Sequence, residues 1–106
     1  PSKKIKVVTL DGQLDESNVD NFAPKIYEMI ASMDKATSVI FDFQNLSYLN
    51  SKSIGYIADF YNQVTAKGGK IVITKAASNI KDILNVVGID QMIPLTQTMQ
   101  EAKLMA

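Results

Sequence analysis

The sequence predicts a single α/β domain over residues 1–106, with four helices on a mixed, mostly parallel sheet of about five strands. Three observations predict it. Short β-branched and apolar runs alternate with segments whose apolar residues recur at helical spacing. The chain has 106 residues, enough to bury one core and too few for two. Apolar residues make up 46 % and charged residues 21 %, the balance of a folded chain and not of a disordered tail.

The opening KIKVVTLDGQL reads as a strand, with Ile5, Val7 and Leu10 set among β-branched Val8 and Thr9. Asp11-Gly12 is a hairpin signal, so a short second strand or an extended return through Gln13-Leu14 is expected. Asp15, Glu16, Ser17 and Asn18 form a helix-start cluster. Val19, Phe22, Ile26, Met29, Ile30 and Met33 then recur as one helical face. Pro24 within that run requires a start near Asp20 or Asn21 and an irregular first turn.

Thr37 to Phe43 contains Val39-Ile40-Phe41, apolar at successive positions as in a strand covered on both faces. The second helix runs from Ser51 to about Lys67, with Ile54, Ile57, Ala58, Tyr61, Val64 and Thr65 at helical spacing. Gly68-Gly69 ends it. Lys70 to Thr74 is a second buried strand. Ser78 begins a third helix, with Ile80, Ile83, Leu84 and Val87 on one face and Gly88 as its stop. Met92-Ile93-Pro94-Leu95 reads as a short edge strand, since Pro94 removes a ladder donor. Thr96 to Met105 is a final amphipathic helix with Met99, Ala102 and Leu104 inward. Strands alternating with helices imply parallel pairing through right-handed crossovers.

Composition excludes several functions. There is no Cys, hence no disulfide or thiolate chemistry, and no His, hence no imidazole relay or phosphohistidine. Eleven basic and eleven acidic side chains cancel, which leaves no electrostatic footprint for nucleic acid or an anionic membrane. No apolar run approaches the roughly 18 residues of a membrane span. The start, PSKKIKVVTL, has no signal-peptide core and no initiator Met, so a processed or trimmed cytoplasmic protein is expected. Neither a cofactor nor a metal is expected. The five Met residues (29, 33, 92, 99 and 105) read as core and tail filler.

In open α/β sheets, function gathers where strands hand over to helices. The junction after Phe43 is rich in hydroxyls, running from Gln44 through Ser47, Tyr48, Asn50, Ser51, Lys52 and Ser53 to Gly55. The helix N-terminus there favours an anion, such as a phosphate esterified to Ser51, with Lys52 adding a charge-assisted contact. The plain reading is that Asn50 or Ser51 caps the helix. From local pattern alone that reading wins, because such residues start helices routinely. Asp11, Asp15 and Glu16 could flank the same surface, but without His they read as solvated loop charges. Gly68-Gly69 follows a helix and precedes a strand, the wrong order for a phosphate loop. Tyr56 points nearly opposite the buried face of helix two, with Phe60 on its flank. This pair reads either as a protein-binding anchor or as a packed Phe60 beside a lone exposed ring.

VVTLDGQLDESNV, VIFDFQNLSYLNSKSIGYI and GGKIVITKAASNIKDILNVVGIDQMIPL together cover most of the chain. They resemble the STAS domain (sulfate transporter and anti-sigma factor antagonist), most of all the free-standing bacterial anti-sigma factor antagonists. The family's signature follows a strand with Asp, Leu-Ser, an aromatic, an apolar residue and then Asp-Ser-Ser-Gly-Leu-Gly. Asn50 replaces its second Asp, Lys52 its second Ser and Ser53 its first Gly, while Gly55 is kept. The resemblance implies phosphorylation at Ser51, with Ser53 a second hydroxyl. The kinase would be a serine kinase/anti-sigma factor of the histidine-kinase-like ATPase type, and a PP2C-type phosphatase would reverse the step. The unphosphorylated form would bind the kinase through Asn50, Ser51, Lys52, Ser53, Tyr56 and Phe60. The alternative is a scaffold or sensor STAS domain that binds a protein or small ligand constitutively. No enzyme is expected.

Overall fold

The computed structural model describes residues 4–15 and 17–106. Glu16, part of the helix-start cluster, lies outside them. The elements are β1 (Ile5–Thr9), β2 (Gly12–Leu14), α1 (Val19–Ser32), β3 (Ser38–Asp42), β4 (Leu46–Leu49) and α2 (Ser51–Ala66). They continue with β5 (Ile71–Thr74), α3 (Ser78–Val86), a single 3-10 turn (Ile89–Gln91), β6 (Leu95–Thr96) and α4 (Met99–Met105).

Four strands form one sheet in the order β1-β3-β5-β6, and β2 pairs with β4 in a separate ribbon. Every ladder is parallel. The expected single sheet of about five strands is therefore four strands plus a two-stranded annex. Successive β3 side chains divide the core. Val39 and Phe41 face Ala23, Ile26, Ile30, Ile57, Phe60, Val64, Ile80 and Leu84 of α1, α2 and α3. Ile40 and Val72 face Ala102 and Ala106 at α4. Both faces are covered, which is why the strand reads as an unbroken apolar run.

The expected hairpin does not form. Gly12 takes a positive φ of 74°, but β2 runs parallel to β4 and its amide donates to the Asn45 carbonyl at 2.9 Å. Leu10 and Leu14 decide this. Both are buried with Leu46 and Leu49, and folding back on β1 would forfeit that burial. β4 lies in what the sequence presented as a loop.

α1 begins at Val19, one residue before the expected start, and keeps Pro24 on its exposed side. Its first turn is tightened, with the Asn21 amide on the Asn18 carbonyl at 2.9 Å. The Lys67 ammonium donates to the carbonyls of Ile30 (2.7 Å), Ala31 (3.2 Å) and Met33 (2.5 Å), closing the C-terminal end of α1 from the end of α2. A Cβ on Gly69 would stand 2.0 Å from the Thr37 carbonyl oxygen, so only glycine fits where the chain enters β5. Gly88 stops α3 with φ 83°.

The last third corrects three expectations. β6 is Leu95–Thr96, so Met92 and Ile93 precede the strand. α4 starts at Met99, capped by the Thr98 hydroxyl, which accepts from the Glu101 amide at 3.1 Å. Leu104 and Val87 are 78 % and 50 % exposed, not inward.

Candidate functional site

The junction between β4 and α2 is built from the cap outward. Asn50, extended at φ −100° and ψ 175°, is the N-cap of α2. Its Oδ1 accepts the Ser53 amide at 2.9 Å, and its carbonyl accepts the Ile54 amide at 3.1 Å. The cap role expected of Asn50 or Ser51 thus falls to Asn50, and Asn serves it as well as Asp. Ser51, the first residue of the helix, is exposed, and its hydroxyl makes no hydrogen bond among the described residues.

Ser53, two residues on, is fully buried. Its hydroxyl lies 3.1 Å from the Leu14 carbonyl and 2.7 Å from Asn50 Oδ1, so its one proton is shared between them. The Asn50 amide also donates to Leu14, at 3.2 Å. These bonds tie the start of α2 to β2. They also correct the reading of Ser53 as a modifiable, partner-facing hydroxyl: its oxygen serves the chain's own backbone.

Lys52 is exposed, and its ammonium donates to Asp20 Oδ2 of α1 at 2.7 Å. The Tyr56 hydroxyl donates to Asp20 Oδ1 at 2.8 Å. The Lys52 contact, then the Tyr56 hydrogen bond, hold the Asp20 carboxyl below the usual carboxylate range. The same bond raises the Tyr56 phenol above its ordinary value. Deeper in, the Tyr27 hydroxyl donates to Asp59, and burial, followed by that bond, pushes the phenol up to about 12.

Phe60 requires the second correction. It is fully buried, with ring centroids 5.0 Å from Tyr27, 6.1 Å from Phe41 and 6.4 Å from Phe22. Tyr56 stacks on it from outside at 6.2 Å and is half-buried. Phe60 is the centre of an aromatic cluster under α1 and offers no surface to a partner. The exposed aromatic at this junction is Tyr48, 45 % exposed and three residues before Ser51. The sequence reading set Tyr48 in a loop, because the strand shows none of the usual alternation: Leu46 and Leu49 are buried and Ser47 and Tyr48 exposed. A register shift between Gly12 and Gln13 breaks that alternation.

The remaining candidates do not join in chemistry. The Asp15 carboxylate is held by the Ser17 hydroxyl and then by the Ser17 amide at 2.9 Å, and both lower its pKa. Asn18 closes this loop onto the Gln13 carbonyl at 2.6 Å. Among the described residues, no cluster of three or more acidic, His or Cys side chains could hold a metal ion. No helix among them is long and apolar enough to cross a membrane.

Comparison with known proteins agrees with this fold. The family model for the STAS domain matches residues 2–102. An anti-sigma F factor antagonist of Paenibacillus polymyxa is 22 % identical over 91 residues, covering 86 % of this chain and 77 % of that protein. A STAS-domain anti-sigma-factor antagonist from Planctomyces limnophilus superposes with a TM-score of 0.85 at 19 % identity, covering 93 % of this chain and 87 % of that one. The anti-sigma factor antagonist SpoIIAA in its unphosphorylated form gives a TM-score of 0.80 at 21 % identity, covering 95 % of this chain and 86 % of that one. With the family model spanning nearly every element from β1 to α4, and with solved structures of the same fold at high overlap, the chain belongs to the STAS domain family.

Proposed function

We propose that this chain is an anti-sigma factor antagonist-like regulator in a partner-switching pathway. It binds a serine kinase/anti-sigma factor of the histidine-kinase-like ATPase type while Ser51 is unmodified, and leaves it when Ser51 is phosphorylated. A PP2C-type phosphatase restores the binding form. The observation that carries this reading is the contrast between an exposed, unengaged Ser51 hydroxyl and a sealed Ser53 at one helix start. The relatives whose names refer to anti-sigma factor antagonism support the choice of partner.

The switch works by charge. A phosphoserine adds about −1.5 to −2 units. The N-terminus of α2 accepts that charge without refolding, because Asn50 already holds the Ser53 amide and because the helix dipole is favourable there. A partner that packs against a neutral hydroxyl instead meets a hydrated dianion, which it must strip of water or avoid. The docking face comprises Asn50, Ser51 and Lys52, with Tyr56 and Tyr48 at its margins. Release is local and leaves the core intact.

The test is phosphate transfer from ATP by the cognate kinase, together with the affinity of Ser51→Ala and Ser51→Asp. The expected result is label on wild type and none on Ser51→Ala, with Ser51→Asp binding the kinase at least about tenfold more weakly, a change of about 1.4 kcal/mol. No label, and equal affinity for all three forms, would replace this reading with a constitutive scaffold.

A further inference from the structure

A second surface feature lies away from Ser51. It is a groove of about 320 Å³ between α2, the start of β5, the segment entering β6 and the end of α4. Tyr61, Ile71, Met92, Pro94 and Met105 wall it, and Lys70 stands among them. The groove exists because β6 is only two residues long. The β5–β6 ladder begins at Ile73 opposite Leu95, so Ile71 has no strand beside it on that side. A sheet edge without a strand partner is usually guarded by charge or covered, and Ile71 is covered, at 2 % exposed. Here it is flanked by Met92 and Met105, 39 % and 46 % exposed. Lys70 has no carboxylate partner among the described residues, and the Tyr61 hydroxyl makes no hydrogen bond among them.

We propose that this groove binds an amphipathic monocarboxylate with a medium-length acyl chain. The tail lies along Ile71, Met92, Pro94 and Met105, and the carboxylate meets the Lys70 ammonium, with the Tyr61 hydroxyl as a second donor. The volume stands at the low end of small-molecule pockets, and apolar walls with a few polar groups fit that class. Unbranched Met side chains adapt to a flexible tail. The charge arrangement selects the ligand. A small hydrophilic anion leaves both Met side chains in water, and a neutral hydrocarbon leaves Lys70 unpaired. An anion with an apolar tail engages both, with Lys70, exposed at the surface, as its charge partner.

The experiment follows the methyl resonances of Met92, Met105 and Ile71 while the protein is titrated with decanoate below its micelle concentration. Decanol and acetate serve as matched probes. Decanoate is expected to give saturable shifts confined to these methyls, decanol to bind roughly tenfold more weakly, and acetate to give none. Lys70→Gln should reduce decanoate to the level of decanol, and Met92→Glu should abolish binding with the circular dichroism spectrum unchanged. No saturable shift at millimolar decanoate would overturn the proposal, as would equal affinity for decanol and decanoate. Methyl shifts that follow protein concentration without any decanoate would also overturn it, since the occupant is then a second copy. None of these outcomes bears on the Ser51 switch, which is read separately by phosphate transfer.

Discussion

The two faces of α2 behave as different proteins. The outward face carries Ser51, Lys52 and Tyr56, whose polar groups reach water or the Asp20 carboxylate at the surface. The inward face carries Ser53, Ile57, Phe60 and Val64, each fully buried. Ser51 and Ser53 are two residues apart, which on a helix turns them roughly 200° from one another. One hydroxyl is left for the outside world, while the other is consumed in tying α2 to β2. The difference teaches that residue type does not separate an available serine from a structural one; what else the hydroxyl bonds to does.

Removing the centre of the inward face tests that contrast most severely. Phe60→Ala is expected to cost about 3–5 kcal/mol in denaturant unfolding, because it empties a site in contact with Tyr27, Phe41 and Phe22. Partner affinity per folded molecule should not change. A loss of affinity in the folded fraction would mean that Phe60 acts at the surface after all. Ser53→Ala comes next. It leaves the Leu14 carbonyl with one donor fewer and is expected to cost about 1–3 kcal/mol by the same measurement.

A smaller effect is read by raising the pH. The Tyr27 phenol keeps its proton to about pH 12 in the fold, whereas an unfolded tyrosine releases it near 10. Between those values the unfolded state binds fewer protons, so stability present below pH ~10 declines as the pH climbs toward 12. Tyr27→Phe should flatten that decline in a stability series from pH 9 to 12. An unchanged slope would detach the Tyr27–Asp59 bond from the packing of α1 on α2. The smallest effect is expected for Ser51→Ala, within about 0.5 kcal/mol of wild type, since this hydroxyl holds nothing in place. A larger loss would remove the distinction between the two serines.

Much of the fold was legible from periodicity alone. Val39-Ile40-Phe41 announced a strand covered on both sides, and the spacing of Ile57 and Val64 announced the buried stripe of α2. Gly68-Gly69 marked the turn, for which the close approach to Thr37 now gives the reason. The site was legible only in outline. The place of the candidate site followed from the strand-to-helix rule, and the proposal of Ser51 from family resemblance. Tyr48 was read as part of a loop, because the irregular register of a short ribbon broke the alternation that marks a strand. Phe60 was ambiguous because a ring on the flank of a helix is exposed or buried according to what lies over it, and here that is α1.

By itself, the sequence determined most of the order of strands and helices, the glycines that stop α2 and α3, and the exclusion of chemistry requiring His or Cys. These depend on side chains within a few positions of each other. Only the tertiary structure decided that β2 pairs with β4 and not with β1, that Asp20 takes Lys52 and Tyr56, and that Ser53 is sealed while Ser51 is not. Each of those outcomes joins residues more than thirty positions apart. They are fixed by which leucines and aromatics must share one core, a requirement that no local window of sequence contains.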